Sequence, residues 1–144
     1  MAKPDDALAA FNNGFTCSSA VFSAFADDLG LSGDLAKKIG CGFGAGVSRT
    51  GNICGAVSGA ILVIGLKYGK AKEGDSAANE KTRELVRLFI DEFTEKNGSV
   101  NCTALLGYNL SDQDGYEHAR AENLFRTRCP QYVKDAALIL KKIV

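Results

Sequence analysis

The chain has 144 residues, 46% hydrophobic and 24% charged, which suits one globular domain over residues 1–144. Seventeen basic residues balance seventeen acidic ones without a long single-sign run, which argues against a nucleic-acid footprint or a polybasic membrane anchor. The opening MAKPDDALAA lacks a basic stretch followed by an apolar one, so the expectation is a cytoplasmic protein without a secretion signal.

Taken in order, the elements read as helices with almost no strand alternation. In TCSSAVFSAFADDLG, Val21, Ala24, Phe25 and Leu29 share a face, Thr16 caps the start and Gly30 closes the end. A short helix around Ser32 to Lys38 follows. Ile53 to Leu66 is the longest apolar run, too short for the roughly 18 residues of a membrane span. With Asn52 as N-cap and apolar residues all round, Ile53 to Tyr68 reads as a buried central helix. From Ser76 to Lys96, Leu85, Leu88, Phe89 and Phe93 form a stripe opposite Glu84, Arg87, Asp91 and Glu95, and Gly98 ends the helix. A turn of helix is expected from Asn101, a loop from Gly107 to Gly115 and a helix from Tyr116 to Arg126. The last helix begins at Pro130 with Cys129 as N-cap and aligns Val133, Ala137, Leu140 and Val144. The fold class is all-α: a compact bundle of five or six helices around a glycine-rich central one.

The stretch GFGAGVSRTGNICGAVSGA, residues 42–60, concentrates glycine around one thiol. Gly55 and Gly59, four apart, form a smooth strip on the central helix where another backbone approaches closely. Gly40, Gly42, Gly44, Gly46 and Gly51 precede it and are expected to supply the positive φ angles of a tight loop. A phosphate-binding loop is not matched: Gly51 is followed by Asn52 and Ile53 rather than Lys and Ser or Thr. The dinucleotide pattern begun at Gly42 meets Val47 where it needs glycine.

The five cysteines, at 17, 41, 54, 102 and 129, contain no C-x-x-C pair. Cys17, Cys54, Cys102 and Cys129 each fall at the cap or first turn of an expected helix, where free N–H groups and the helix dipole favour thiolate over thiol. Cys41 lacks that setting. Packing is the competing use, since free cysteine is also a common buried residue. His118, in YEHARAEN, reads as a solvated helix residue; Arg49 reads as a loop brace or a counter-charge for Cys54.

These residues carry a resemblance. Cys17, the segment GNICGAVSGAILVIGLKYG around Cys54, Asn101-Cys102 ahead of Leu105-Leu106-Gly107, and Cys129 before the final helix resemble the C_GCAxxG_C_C family, whose members are described as redox-active. The resemblance covers nearly the whole chain and places the family's cysteines on the same four positions, leaving Cys41 as an extra. Ile53 stands where the family name has glycine. The resemblance implies redox activity through the four cysteines without naming a cofactor or substrate.

Three functions follow from the residues. The first is thiol-disulfide exchange or electron transfer with a redox partner protein or a small thiol or disulfide, Cys54 being the expected attacking thiolate and the most acidic of the five. The second is a metal or iron-sulfur site on the four thiolates. The third is a helical interaction module with packing cysteines. Four cysteines allow three pairings.

Overall fold

The computed structural model describes residues 3–144 and is all-helical; among the described residues one isolated antiparallel bridge, Ile53 to Asn101, stands in place of a sheet. The helices are α1 (Lys3–Asn12), α2 (Cys17–Ala26), α3 (Gly33–Gly40), α4 (Gly55–Tyr68), α5 (Ser76–Asn97), α6 (Cys102–Leu106), α7 (Gln113–Ala121), α8 (Leu124–Thr127) and α9 (Cys129–Ile143). They are shorter and more numerous than the five or six expected. The addition at the start is α1, which begins with Pro4, Asp5 and Asp6 in its first turn and packs against α2 and α9 through the buried Ala7. The expected helix from Tyr116 to Arg126 starts earlier and breaks at Asn123, whose left-handed backbone (φ 60°) separates α7 from α8. None of the helices is long and apolar enough to cross a membrane, among the described residues.

Local chemistry sets the helix ends. Thr16 accepts a hydrogen bond from the Ser19 N–H and so caps α2. The two serines that follow Cys17 are buried, and each satisfies a carbonyl at the end of α3: Ser18 Oγ donates to Gly40 O at 2.6 Å and Ser19 Oγ to Lys37 O at 2.7 Å. The sequence TCSS therefore starts one helix and finishes its neighbour. Gly40 closes this contact, since a Cβ there would stand 3.1 Å from the Ser19 backbone.

Helix α4 packs against α2, α5 and α9, with Ala56, Val57, Ala60, Val63 and Ile64 fully buried. The expected close approach is present. A Cβ on Gly59 would meet Ser18 O at 2.5 Å and Val21 Cβ at 3.1 Å, so α2 lies directly on the glycine strip. Helix α5 contributes Leu85, Phe89 and Phe93 to the core, but Leu88, expected in the same stripe, is 45% exposed. Its position one residue before Phe89 rotates it off the buried line.

A second, smaller apolar cluster gathers Cys102, Leu106, Leu110, Ala119 and Leu124, with Cys129, Phe125 and Tyr132 against it. Tyr132 also packs on the main core. The candidate site lies along this seam.

Candidate cysteine site

Four helix starts converge here. Cys17 is the first residue of α2, Cys102 the first of α6 behind the cap Asn101, and Cys129 the first of α9, immediately before Pro130. Cys54 is itself the N-cap of α4, displacing the expected Asn52. The displacement has a cause in the bridge: Cys54 N–H donates to Val100 O at 2.8 Å, and Cys102 N–H donates to Asn52 O at 2.7 Å. Those two bonds draw residues 52–54 into an extended segment, so α4 can begin only after Cys54, and they fix the starts of α4 and α6 side by side. Cys129 is likewise displaced by one position from its expected role, since Arg128 precedes it as the flanking residue.

All five cysteines line one cavity of about 350 Å³. Cys54 and Cys102 are buried, at 7% and 6% exposure, Cys17 and Cys129 are half-buried, and Cys41 is exposed. All five are free thiols. The apolar part of the wall includes Phe11, Leu105, Leu110, Phe125 and Tyr132. Tyr132 Oη donates to Leu105 O at 3.1 Å and Arg128 Nη1 donates to the same carbonyl at 3.0 Å, tying the end of α6 to the start of α9. Glycine lets the parts close up: a Cβ on Gly55 would collide with Cys17 Sγ, and one on Gly46 would stand 2.7 Å from Cys102 Cβ. Cys17 sulfur thus rests on the first turn of α4, next to Cys54.

One wall is strained. Ala45, Gly46, Val47, Ser48 and Arg49 all have positive φ, 59°, 66°, 67°, 52° and 67°, a left-handed turn in which only Gly46 is glycine. Left-handed backbone costs about 1–2 kcal/mol per non-glycine residue. Hydrogen bonds hold it: Asn52 N–H donates to Gly46 O at 2.9 Å, Thr50 Oγ1 to the same oxygen at 2.7 Å, and Ser48 Oγ to Gly42 O at 2.8 Å. The positive φ angles expected of the preceding glycines therefore fall mostly on other residues; of Gly40, Gly42, Gly44, Gly46 and Gly51, only Gly46 and Gly51 have them. Gly44 instead admits the Thr16 side chain, to which a Cβ would come within 2.6 Å.

Electrostatics reverse one expectation. Burial pushes the Cys54 thiol well above its ordinary value, and a charge on Cys17 pushes it further; the N–H groups of Ala56 and Val57 at the start of α4 oppose this and lose. The expected low-pKa thiolate at Cys54 is therefore not supported. Burial also raises Cys102 to about 11 and Cys129 to about 12, with Cys17 contributing to both. Cys17 is raised by burial too, but four backbone N–H groups oppose the rise, those of Ala45, Ser18, Gly55 and Cys17 itself. They come from the left-handed turn and from the first turns of α2 and α4. A charge on Cys17 raises Cys54, Cys102 and Cys129 alike, which fits their shared place on the cavity wall.

Arg49 is not the counter-charge for Cys54 that its position in sequence suggests. Its guanidinium lies 4.2 Å from the centre of the Tyr116 ring, and Nη2 donates to Tyr116 Oη at 3.0 Å. His118 is exposed and stacks on Tyr108, away from the cavity. Among the described residues, no group of three or more His, Cys, Asp or Glu side chains is placed to hold a metal ion. The sequence did not signal that Cys41 shares the cavity, because that depends on where the end of α3 docks.

No curated protein and no solved structure matches the chain. A family pattern matches residues 15–143, a span that contains all four helix-start cysteines and Cys41, and its description is "Putative redox-active protein (C_GCAxxG_C_C)". The chain belongs to the C_GCAxxG_C_C family.

Proposed function

We propose that the chain is a thiol-disulfide protein that stores and passes electrons in pairs through reversible bridges among Cys17, Cys54, Cys102 and Cys129, with Cys17 as the attacking thiol. The observation that carries this reading is the convergence of four helix-start thiols on one cavity. Cys17 takes the attacking role from Cys54 because it is half-exposed, whereas Cys54 is sealed, and because backbone N–H groups from three segments oppose the effect of burial on its charge. Its thiolate attacks one sulfur of a disulfide, breaks the S–S bond and expels a thiolate that takes up a proton. The mixed disulfide on Cys17 is then attacked by the Cys54 thiolate, which gives a Cys17–Cys54 bridge and a second free thiol; two electrons pass from the protein sulfurs to the substrate. Cys102 and Cys129 form the second pair. Free thiols poised for exchange suit a reducing compartment such as the cytoplasm.

Treating the reduced protein with diamide, a neutral two-electron thiol oxidant, and mapping bridges after acid quenching tests the pairing. A Cys17–Cys54 bridge is expected first. Cys17→Ser should slow the first oxidation by about tenfold or more, because the thiol whose charge the surrounding backbone N–H groups support is gone. An unchanged rate in this variant, or only intermolecular bridges in the natural protein, would overturn the assignment.

A further inference from the structure

Among the described residues, the cavity wall has one charged side chain beside its protonated thiols. Among the described residues, its lining contains no Asp, Glu, Lys or His, and its one permanent charge is Arg49, exposed at the rim. Three observations make this arginine more than a surface residue. It ends the left-handed turn, so strained backbone (φ 67°) holds it at the rim instead of leaving it free to swing on a loop. Its guanidinium is stacked on Tyr116, and the Tyr116 ring packs against Phe125, a cavity residue, with 5.7 Å between ring centres. Only one guanidinium N–H is spent, on Tyr116 Oη, and among the described residues no carboxylate pairs with it. An arginine has five N–H donors in a planar fork that matches a carboxylate.

From this arrangement we infer that the cavity takes a small disulfide or thiol bearing a carboxylate, with Arg49 binding that carboxylate while the sulfur reaches Cys17. The inference rests on the thiol-disulfide reading above and names the substrate class for the same site. A volume of about 350 Å³ lies at the small end of ligand cavities. The apolar wall accommodates the carbon chain, and a cationic substrate meets the one charge as a repulsion. Arg49 is a specificity residue: the reacting bond is made and broken at sulfur, and the two electrons move as already described.

Three disulfides that share two methylenes in each arm separate charge from reactivity: dithiodipropionate (two carboxylates), hydroxyethyl disulfide (neutral) and cystamine (two ammonium groups). The rate at which each oxidises the reduced protein, divided by its rate with free dithiothreitol, removes the intrinsic reactivity of the disulfide. The expected order is anionic, neutral, cationic, with an anionic-to-neutral ratio of about 5 to 10 at low salt that shrinks as salt is added. Arg49→Gln should bring the ratio to about one and Arg49→Lys should retain part of it, since charge survives while the fork is lost. Circular dichroism of both variants guards against misfolding, and Tyr116→Phe, which removes only the hydroxyl partner, gives an independent reading by lowering the ratio. Equal ratios across the three disulfides, or a ratio that survives Arg49→Gln, overturn the inference while leaving thiol-disulfide exchange intact. Oxidation by a protein disulfide alone also overturns it in favour of a macromolecular partner. Failure of diamide and every disulfide to form a bridge overturns the underlying reading instead.

Discussion

Gly59→Leu should destabilise the protein by about 3 kcal/mol, the upper end of what overpacking a core contact costs, although leucine is the better helix former by nearly 1 kcal/mol. The reason is the nature of the obstacle. A Cβ at Gly59 would stand 2.5 Å from a backbone oxygen, Ser18 O, and 3.1 Å from Val21 Cβ. Ser18 cannot yield cheaply, because its hydroxyl is buried and bonded to Gly40 O. Relief requires α2 to move, which also displaces Cys17 from the start of α4. Gly65 in the same helix supplies the control: a Cβ there meets nothing within 4 Å, so Gly65→Ala should stabilise by up to about 1 kcal/mol. Chemical denaturation of the two variants reads both signs at once. A Gly59→Leu protein as stable as the parent contradicts the close packing of α2 on α4.

Raising the pH should weaken the reduced protein and spare the bridged one. Cys54 and Cys102 are both nearly sealed, and burial raises both thiols, Cys102 to about 11. An unfolded thiol ionises near pH 8.5. Below that pH both states hold the proton and the thiols contribute no pH dependence. Above it the unfolded chain releases protons that the folded chain keeps, so stability falls as pH rises, until the folded thiols ionise as well. At pH 10, about 1.5 units above the unfolded value, each of these two thiols costs about 2 kcal/mol, and Cys129, likewise pushed up, to about 12, adds to the loss, so the total is at least about 4 kcal/mol. A disulfide has no such proton to lose, so the difference between the reduced and bridged proteins isolates the thiols from tyrosine and lysine titration. Urea unfolding of both forms from pH 7 to 10 should show curves that diverge above about pH 8.5. Parallel curves mean that the thiols are not buried as protonated groups.

Much of the helix pattern was legible because it is written locally. Thr16, Asn101 and Pro130 mark three helix starts by side-chain chemistry that acts within three residues; the first two cap as expected, and the third helix starts one residue earlier, at Cys129 with Arg128 as its cap. Gly98 ends α5 as its left-handed cap for the same kind of reason. The failures come from partners distant in sequence. Asn52 lost its capping role to a bridge with residues 100–102, nearly fifty positions away. Cys54 was expected to be acidic because it lies at a helix start, and that part is correct; what the sequence hides is how completely it is sealed. The left-handed turn was invisible because four of its five residues are not glycine, and hydrogen bonds from Ser48, Thr50 and Asn52 sustain it instead. The four cysteines stand out in the sequence by their position relative to the expected helix starts. Their meeting in one cavity is a property of how those helices pack.

Exchange of these thiols in pairs within the cavity can be read by equilibrium redox titration. The protein is held anaerobically in buffers of stepped glutathione to glutathione disulfide ratio, quenched in acid, and its remaining thiols are alkylated and located by mass. Cys17, Cys54, Cys102 and Cys129 should disappear two at a time into intramolecular bridges. Each transition should follow a two-electron slope of about 30 mV per tenfold change in ratio and reverse when the ratio is reversed. Four thiols that stay alkylatable across the whole range, or that are lost singly as stable glutathione adducts without bridging, would contradict it.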